Sequence, residues 1–352
     1  MSDIGTMLSP LGWDAEWAET YAVALTGLAD TGVVPGRVGR VDRSAFDVHT
    51  GFGVLRVGEA AEPVCTGDWV AVDTSGQDPR VAAVLPRRTA FSRAESSGRS
   101  VAQVLAANID VVVVVVSLAS EVDLGRLERL LALGWSSGAT PVVVLSQSDL
   151  ATRLSSSLEA VSAAAPGCEV LVTSAVTGQG IEAVAAVGRP HRSLVLLGVS
   201  GAGKSTLANA LMGSAVQPVR AVRRVDGKGR HTTTSRELLV LPGGGALIDT
   251  PGLRGVGLFD AEDGIAMAFS DVDDFAVDCR FGDCSHTCEP GCAVVAAVDA
   301  GELEPRRVES WHKLQREVAW MARRTDVRAM AANKRKWKAI HKSVRDAGVV
   351  RP

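Results

Sequence analysis

Eight residues constrain this chain more than any others: Gly198-Val199-Ser200-Gly201-Ala202-Gly203-Lys204-Ser205 fits the pattern G-x-x-x-x-G-K-[ST]. An apolar, strand-like run precedes it at 194–197, and residues 207–211 can continue as a helix. Strand, glycine turn and helix in that order make a cradle for phosphate. Glycines let backbone N–H groups turn inward, and the helix N-terminus adds its dipole. The expected phosphate-binding set is Gly198, Ser200, Gly201, Ala202, Gly203, Lys204, Ser205 and Thr206. Lys204 is expected to pair with β and γ oxygens, and Ser205 to bind Mg²⁺.

Downstream, Asp249-Thr250-Pro251-Gly252 follows the strand-like residues 245–248. An acid at a strand end beside a phosphate loop is where a Mg²⁺-bound water is held, and Gly252 can offer its N–H to a γ-phosphate. Between the two lies Gly229-Arg230-His231-Thr232-Thr233-Thr234. Thr232 or Thr233, with Thr233 preferred, can supply a second Mg²⁺ hydroxyl from a loop that orders around the γ-phosphate. Leu253 stands where Ras-like enzymes carry a water-orienting glutamine, and an apolar side chain cannot hold water. His231 is therefore the candidate catalytic group, since an imidazole can accept from or orient water near neutral pH. Contact with RNA is the other role open to that histidine.

The elements that would read the base lie on the wrong side of the phosphate loop for a Ras-like chain. Ser146-Gln147-Ser148-Asp149 follows a strand-like run at 141–145, and Ser174-Ala175 follows another at 170–173. Both sit at strand ends, where open α/β sheets bind ligands. Asp149 can accept from the guanine N1 and N2 donors, which adenine lacks. Ser146-Gln147 departs from the Asn-Lys of the usual N-K-x-D element, and Gln147 lacks the long charged stem that lies over the base.

Around these motifs the chain divides into stretches. Residues 14–28 predict a short helix ended by Gly32 and Pro35. Five short β-prone segments between 36 and 88 predict a small barrel, with an OB-fold as the best candidate. Strands then alternate with helices from 89 to 257, which predicts a mostly parallel sheet covered on both faces. From 258 the chain turns acidic, passes a cysteine cluster and ends in a helical tail. Its longest apolar run, at 111–116, is too short for a bilayer span. Residues 1–13 have neither the basic stretch nor the apolar core of a secretory signal, so the chain is expected in the cytoplasm.

Four of the six cysteines fall between Cys279 and Cys292. Cys279, Cys284, His286 and Cys292 give C-x4-C-x-H-x5-C, three thiolates and an imidazole suited to a tetrahedral, structural Zn²⁺. Cys288 is a fifth thiol within reach, and spacing alone does not separate it from the others.

Net charge, −3 for the whole chain, argues at first against a nucleic-acid partner. By region the reading changes. Residues 306–352 carry fourteen Lys/Arg against four Asp/Glu, a net of +10, which leaves −13 for residues 1–305. Trp311, Trp320 and Trp337 are interspersed there, and could stack on bases or pack internally. A second basic stretch, Arg220, Arg223, Arg224, Lys228 and Arg230, lies in the expected switch loop, so nucleotide state could alter RNA contact.

The permuted order of GTPase motifs, a preceding barrel, Ala106-Ala107-Asn108-Ile109-Asp110, the GRHTTT run and the cysteine spacing together resemble one family: the ribosome small-subunit-dependent GTPases, or RsgA family. The likeness covers nearly the whole chain from about residue 36. It implies an α/β P-loop GTPase, circularly permuted, with an N-terminal OB-fold β-barrel and a C-terminal zinc-binding, mainly helical domain. The implied divisions are an N-terminal extension (1–35), barrel (36–88), GTPase (89–257) and C-terminal domain (258–352). It also implies GTP/GDP, Mg²⁺ and one structural Zn²⁺ as cofactors, with the four named ligands favoured over Cys288, and it points to His231 as the catalytic group. The implied partner is the small ribosomal subunit with its rRNA, in late maturation and with hydrolysis stimulated by that subunit; no membrane or DNA partner is expected, and the chain is expected to be a monomer. The alternative is a nucleotide-gated rRNA-binding scaffold with incidental turnover. A metabolic P-loop kinase fits poorly, because Leu253, the DTPG run and Asp149 leave no acceptor pocket.

Overall fold

The computed structural model describes residues 2–26, 32–42, 45–60, 62–93, 103–213, 236–249 and 261–325. Two helices open the chain, α1 (Ser2–Leu8) and α2 (Ala15–Ala24), the second begun by the Asp14 carboxylate accepting the Trp17 N–H at 2.7 Å. They are not a loose extension. Leu8, Leu11, Trp17 and Tyr21 are buried, and Trp13 and Trp17 pack on Trp69 of the strand-rich region that follows.

Next come β1 (Val33–Val41), β2 (Phe46–Thr50), β3 (Gly53–Val57), β4 (Glu59–Ala60), β5 (Trp69–Asp73) and β6 (Arg80–Val84). β1 is long enough to pair with β5 along its first half and β2 along its second. β2 pairs with β3, β5 with β6, and β4 lies parallel to β6. These pairings run in series, β3-β2-β1-β5-β6-β4, around a core of Val38, Val48, Val57, Val70, Val72 and Val81. Pro35, which suggests a stop in the sequence, lies inside β1 opposite Ala71. A strand tolerates it there because β2 pairing begins only at Gly36, so the missing N–H is on an open side.

After the two-stranded pair β7 (Ala90–Arg93) and β8 (Gln103–Ala107), the α/β region follows. Its elements are β9 (Val111–Ser117), α3 (Leu124–Ser136), β10 (Thr140–Ser146), α4 (Leu154–Ala164), β11 (Glu169–Val172), α5 (Ile181–Val187), β12 (Ser193–Leu197), α6 (Lys204–Met212), β13 (Glu237–Val240) and β14 (Ala246–Asp249). Strand order is β11-β10-β9-β12-β14-β13, all parallel except β13. The six valines of β9 sit at the centre, and alternate residues feed two cores. Val112 and Val114 pack with Leu127 and Leu131 of α3; Val111, Val113 and Val115 pack with Leu207 and Leu211 of α6.

The N-terminal strands and the α/β sheet are physically joined. β1 pairs with β13 at Arg40–Glu237, making one continuous twelve-stranded sheet. Asn108 is buried in the joint with a left-handed backbone (φ +55°). Its amide donates to Gly67 O at 3.1 Å and accepts from Arg88 N at 3.0 Å, while its carbonyl accepts from buried Arg37 at 2.8 Å. Arg37 also donates to Gly67 O and Leu11 O, tying in the N-terminal segment.

The C-terminal region adds α7 (Glu262–Ala268), α8 (Ser270–Ala276), α9 (Ala293–Ala300) and α10 (Pro305–Thr325). α7 and α10 pack on α3 around a buried ionic network. Glu128, with no exposed side chain, accepts from Arg307 at 2.9 Å, Arg306 at 2.6 Å and Ser310. Arg307 in turn holds Asp271, its Nε 2.8 Å from Oδ2, and lies 4.3 Å from the centre of the Phe269 ring. Arg306 and Arg307 of the basic tail therefore turn toward Glu128. No helix among the described residues is long and apolar enough to cross a membrane.

Candidate functional site

The carboxyl ends of β9, β10, β11, β12 and β14 lie along one edge of the sheet and bring the described site residues together. From β12 the chain enters the glycine loop and then α6 at Lys204. Gly198 has φ +149°, and a Cβ there would stand 2.4 Å from Val115 O, so only glycine fits between loop and central strand. Ala202 is fully buried against the core, while Ser200 and Gly201 are exposed at the loop's crest. Lys204 Nζ curls back over the loop and donates to Gly198 O at 2.7 Å and Val199 O at 2.6 Å. Ser205 and Thr206 occupy the first turn of α6, half-buried. Asp249 ends β14, the strand beside β12, where Val195 pairs with Ile248.

The base end is built on β10 and β11. Ser146, buried at the end of β10, donates to Ala202 O of the phosphate loop at 2.7 Å. Gln147 follows in the left-handed region (φ +60°), and its side-chain oxygen accepts from Ser117 at the end of β9. Ser148 to Leu150 form a single tight turn that leaves Asp149 exposed. Buried Ser174 donates to the Asp149 carboxylate at 2.5 Å, fixing the aim of that acid, and Ala175 follows at the same edge. Ser148 N donates to Thr173 O at 3.0 Å, joining the two loops. Ser117 escapes sequence reasoning because it carries no motif. The available signal was its place as the first polar residue after six valines, at a strand end.

His231, Thr232, Thr233, Gly252 and Leu253 lie outside the described residues, as do Arg220, Arg223, Arg224, Lys228, Arg230 and Trp337.

A second constellation lies between α8 and α9. The ligand atoms of Cys279, Cys284, His286 and Cys292 all fall within 4.8 Å of one another and could hold a metal ion. Cys279 Sγ stands 3.9 Å from Cys292 Sγ, and His286 Nδ1 stands 3.5 Å from each. A tetrahedral zinc with Zn–S near ~2.3 Å would give S···S edges of about 3.8 Å, so the donor set fits that ion. Burial opposes ionisation of Cys279, but the backbone N–H groups of Val294 and Ala293 outweigh it and hold the thiol below its ordinary pKa. Cys288 is exposed and stands outside the converging set. Glu289 organises the turn by accepting from the backbone N–H groups of Ser285, Thr287 and Cys288. Trp311 packs edge-on against His286 at 5.4 Å, so it is a packing residue of this knuckle; Trp320 is half-exposed on α10.

Comparison with known proteins agrees with this geometry. The pattern of the RsgA GTPase family matches residues 84–259, and that of the 50S ribosome-binding GTPases matches 193–339. The small ribosomal subunit biogenesis GTPase RsgA of Streptomyces avermitilis is 55% identical over 94% of this chain and 91% of its own length. Its namesake in Streptomyces coelicolor is 53% identical over 97% and 95%, and that of Opitutus terrae 41% over 96% and 97%. Among solved structures, YjeQ from Thermotoga maritima superposes with a TM-score of 0.63 at 25% identity, covering 82% of this chain and 99% of that one. YloQ, a circularly permuted GTPase, shares the fold with a TM-score of 0.59 at 18% identity, over 83% and 97%.

Proposed function

The chain belongs to the RsgA GTPase family, and on that premise we propose that it is a GTP hydrolase acting late in assembly of the small ribosomal subunit, which stimulates its turnover. The observation that carries this reading is the pairing at one sheet edge of a phosphate loop with a carboxylate, Asp149, aimed by Ser174. Asp149 would take the guanine N1 and N2 donors, with Ser146, Gln147, Ser174 and Ala175 shaping the base end. Gly198, Ser200, Gly201, Ala202, Gly203, Lys204 and Thr206 would surround the phosphates.

Ser205, Thr233 and Asp249 fit a Mg²⁺ site by chemistry, two hydroxyls and a carboxylate that can hold metal-bound water. Bound there, Mg²⁺ would neutralise charge developing on the β- and γ-oxygens. Thr232 is the other threonine of that run, and Gly252 would donate its N–H to the γ-phosphate. His231 would orient the attacking water in place of the glutamine replaced by Leu253. The Cys279, Cys284, His286 and Cys292 set would hold one structural Zn²⁺, having four soft or borderline donors and no open vertex.

We assign residues 1–35 to an N-terminal extension, 36–88 to an OB-fold barrel, 89–257 to the permuted GTPase and 258–352 to the zinc-binding helical domain. The protein works in the cytoplasm as a monomer, with rRNA as the surface it meets. Basic residues of the tail beyond Arg307 and of the loop around Arg220 to Arg230 would neutralise rRNA phosphates. The test is co-sedimentation with purified small and large subunits in a non-hydrolysable GTP analogue. Association with small subunits alone, lost at high salt, supports the reading; preference for large subunits would contradict it. His231→Ala should keep nucleotide binding and lose subunit-stimulated turnover.

A further inference from the structure

We propose that Ser117 is a positioning residue for the guanine site, and that it pins Gln147 so that a neutral amide does the work usually given to a lysine. The proposal rests on the guanine-nucleotide reading above. Three observations carry it. First, Gln147 leaves β10 in the left-handed conformation, and its stem lies along the last glycine of the phosphate loop: a Cβ on Gly203 would stand 3.8 Å from Gln147 Cγ. Second, its amide oxygen accepts from the Ser117 hydroxyl. Third, that hydroxyl accepts in turn from the Ala119 N–H at 3.1 Å.

A serine hydroxyl has one proton to give. With the Ala119 N–H directed at its oxygen, Ser117 gives that proton to Gln147, and the relay runs one way, from backbone through hydroxyl to amide carbonyl. The amide is then fixed in orientation, with its carbonyl engaged by the sheet and its two N–H groups left for a ligand beside Asp149. Gln147 has three rotatable bonds, and ordering them is unfavourable unless something in the free protein already does so. Strand register explains why Ser117 can: it stands opposite Ser146 at the matching end of β9, one residue from Gln147. Ser146 meanwhile ties the same turn to Ala202 O. Two serines thus stand in for what Asn-Lys would supply, one holding the turn to the phosphate loop and the other holding the base platform.

The test is a double-substitution cycle on the full chain, reading dissociation constants for GDP, IDP and ADP by calorimetry. Ser117→Ala should weaken GDP and IDP alike by about three- to tenfold, the size of one lost hydrogen bond. IDP follows GDP here because the 2-amino group is read by Asp149, not by Gln147. Ser117→Thr, which keeps the hydroxyl, should restore binding to within about twofold of the parent. In a Gln147→Ala background, Ser117→Ala should have no further effect. Full additivity of the two substitutions, or unchanged GDP affinity in Ser117→Ala, overturns the assignment. Parent protein that prefers ADP to GDP would instead overturn the guanine reading on which it rests.

Discussion

The nucleotide cleft and the cysteine knuckle hold their functional side chains by opposite means. In the cleft, each residue leaves a strand end of a sheet buried on both faces, and Gly198, Ser146 and Ser117 lock the loops to that sheet and to one another. Between Cys279 and Cys292 the chain has neither helix nor strand, and only His286 and Cys292 are buried. What order it has comes from four converging side chains that could hold a metal, the Glu289 turn and contact with Trp311. A site carried by a sheet needs no ligand to exist, whereas one carried by a metal does.

Metal removal should break that comparison most visibly. Structural zinc contributes roughly 10–16 kcal/mol to small metal-folded segments. Chelation, or Cys292→Ser, should therefore unfold the knuckle, seen as loss of Trp311 fluorescence contrast and new proteolysis within 279–292. GDP affinity should change less than about twofold, because the described cleft residues are held by the sheet and its strand-end loops, not by the knuckle. Next in size is the ionic network that docks α10 on α3. Arg307→Ala leaves buried Glu128 with only Arg306 and Ser310 and leaves Asp271 without its arginine, and should destabilise the fold by about 3–5 kcal/mol, read as a lowered unfolding midpoint.

Lys204→Ala sharpens the contrast from the other side. It should lower GTP turnover by about 10²–10³-fold, the usual loss for a preorganised donor, while the melting temperature without nucleotide stays unchanged. Smallest is Asp123→Ala, which removes the side-chain cap accepting Arg126 N–H at 3.0 Å. It should destabilise α3 by about 1 kcal/mol and leave both sites working, read as a shifted denaturation midpoint with unchanged GDP affinity.

Legibility in the sequence followed these same physical lines. The strand, glycine turn and helix order at 194–211 and the alternation of strands and helices after residue 89 are set by strictly local chemistry, and β12, the glycine turn and α6 follow one another in that order. β13 was hidden because Glu237–Val240, with only Leu238 buried, carries too short an alternation to read; pairing with β14 and β1 makes it a strand. The first helix is seven residues long, too short to show a period, and Leu8 is buried in the core cluster that also holds Trp17, Tyr21 and Trp69. Charge counting found the basic tail but not its direction: Arg306 and Arg307 face Glu128, and Arg129 pairs with Glu317 at 2.8 Å. At the site, Ser146-Gln147 was visible by position, yet its support from Ser117 crosses thirty residues of sequence and exists only in the strand register.

The central claim, a cleft that reads guanine and fires when the small subunit is present, is tested most directly by steady-state hydrolysis of GTP and ATP with and without purified small ribosomal subunits. The account predicts slow GTP turnover by the protein alone, a many-fold rise with small subunits that high salt abolishes, and no comparable rise for ATP. GTP turnover indifferent to the subunits, or ATP stimulated equally, would contradict it.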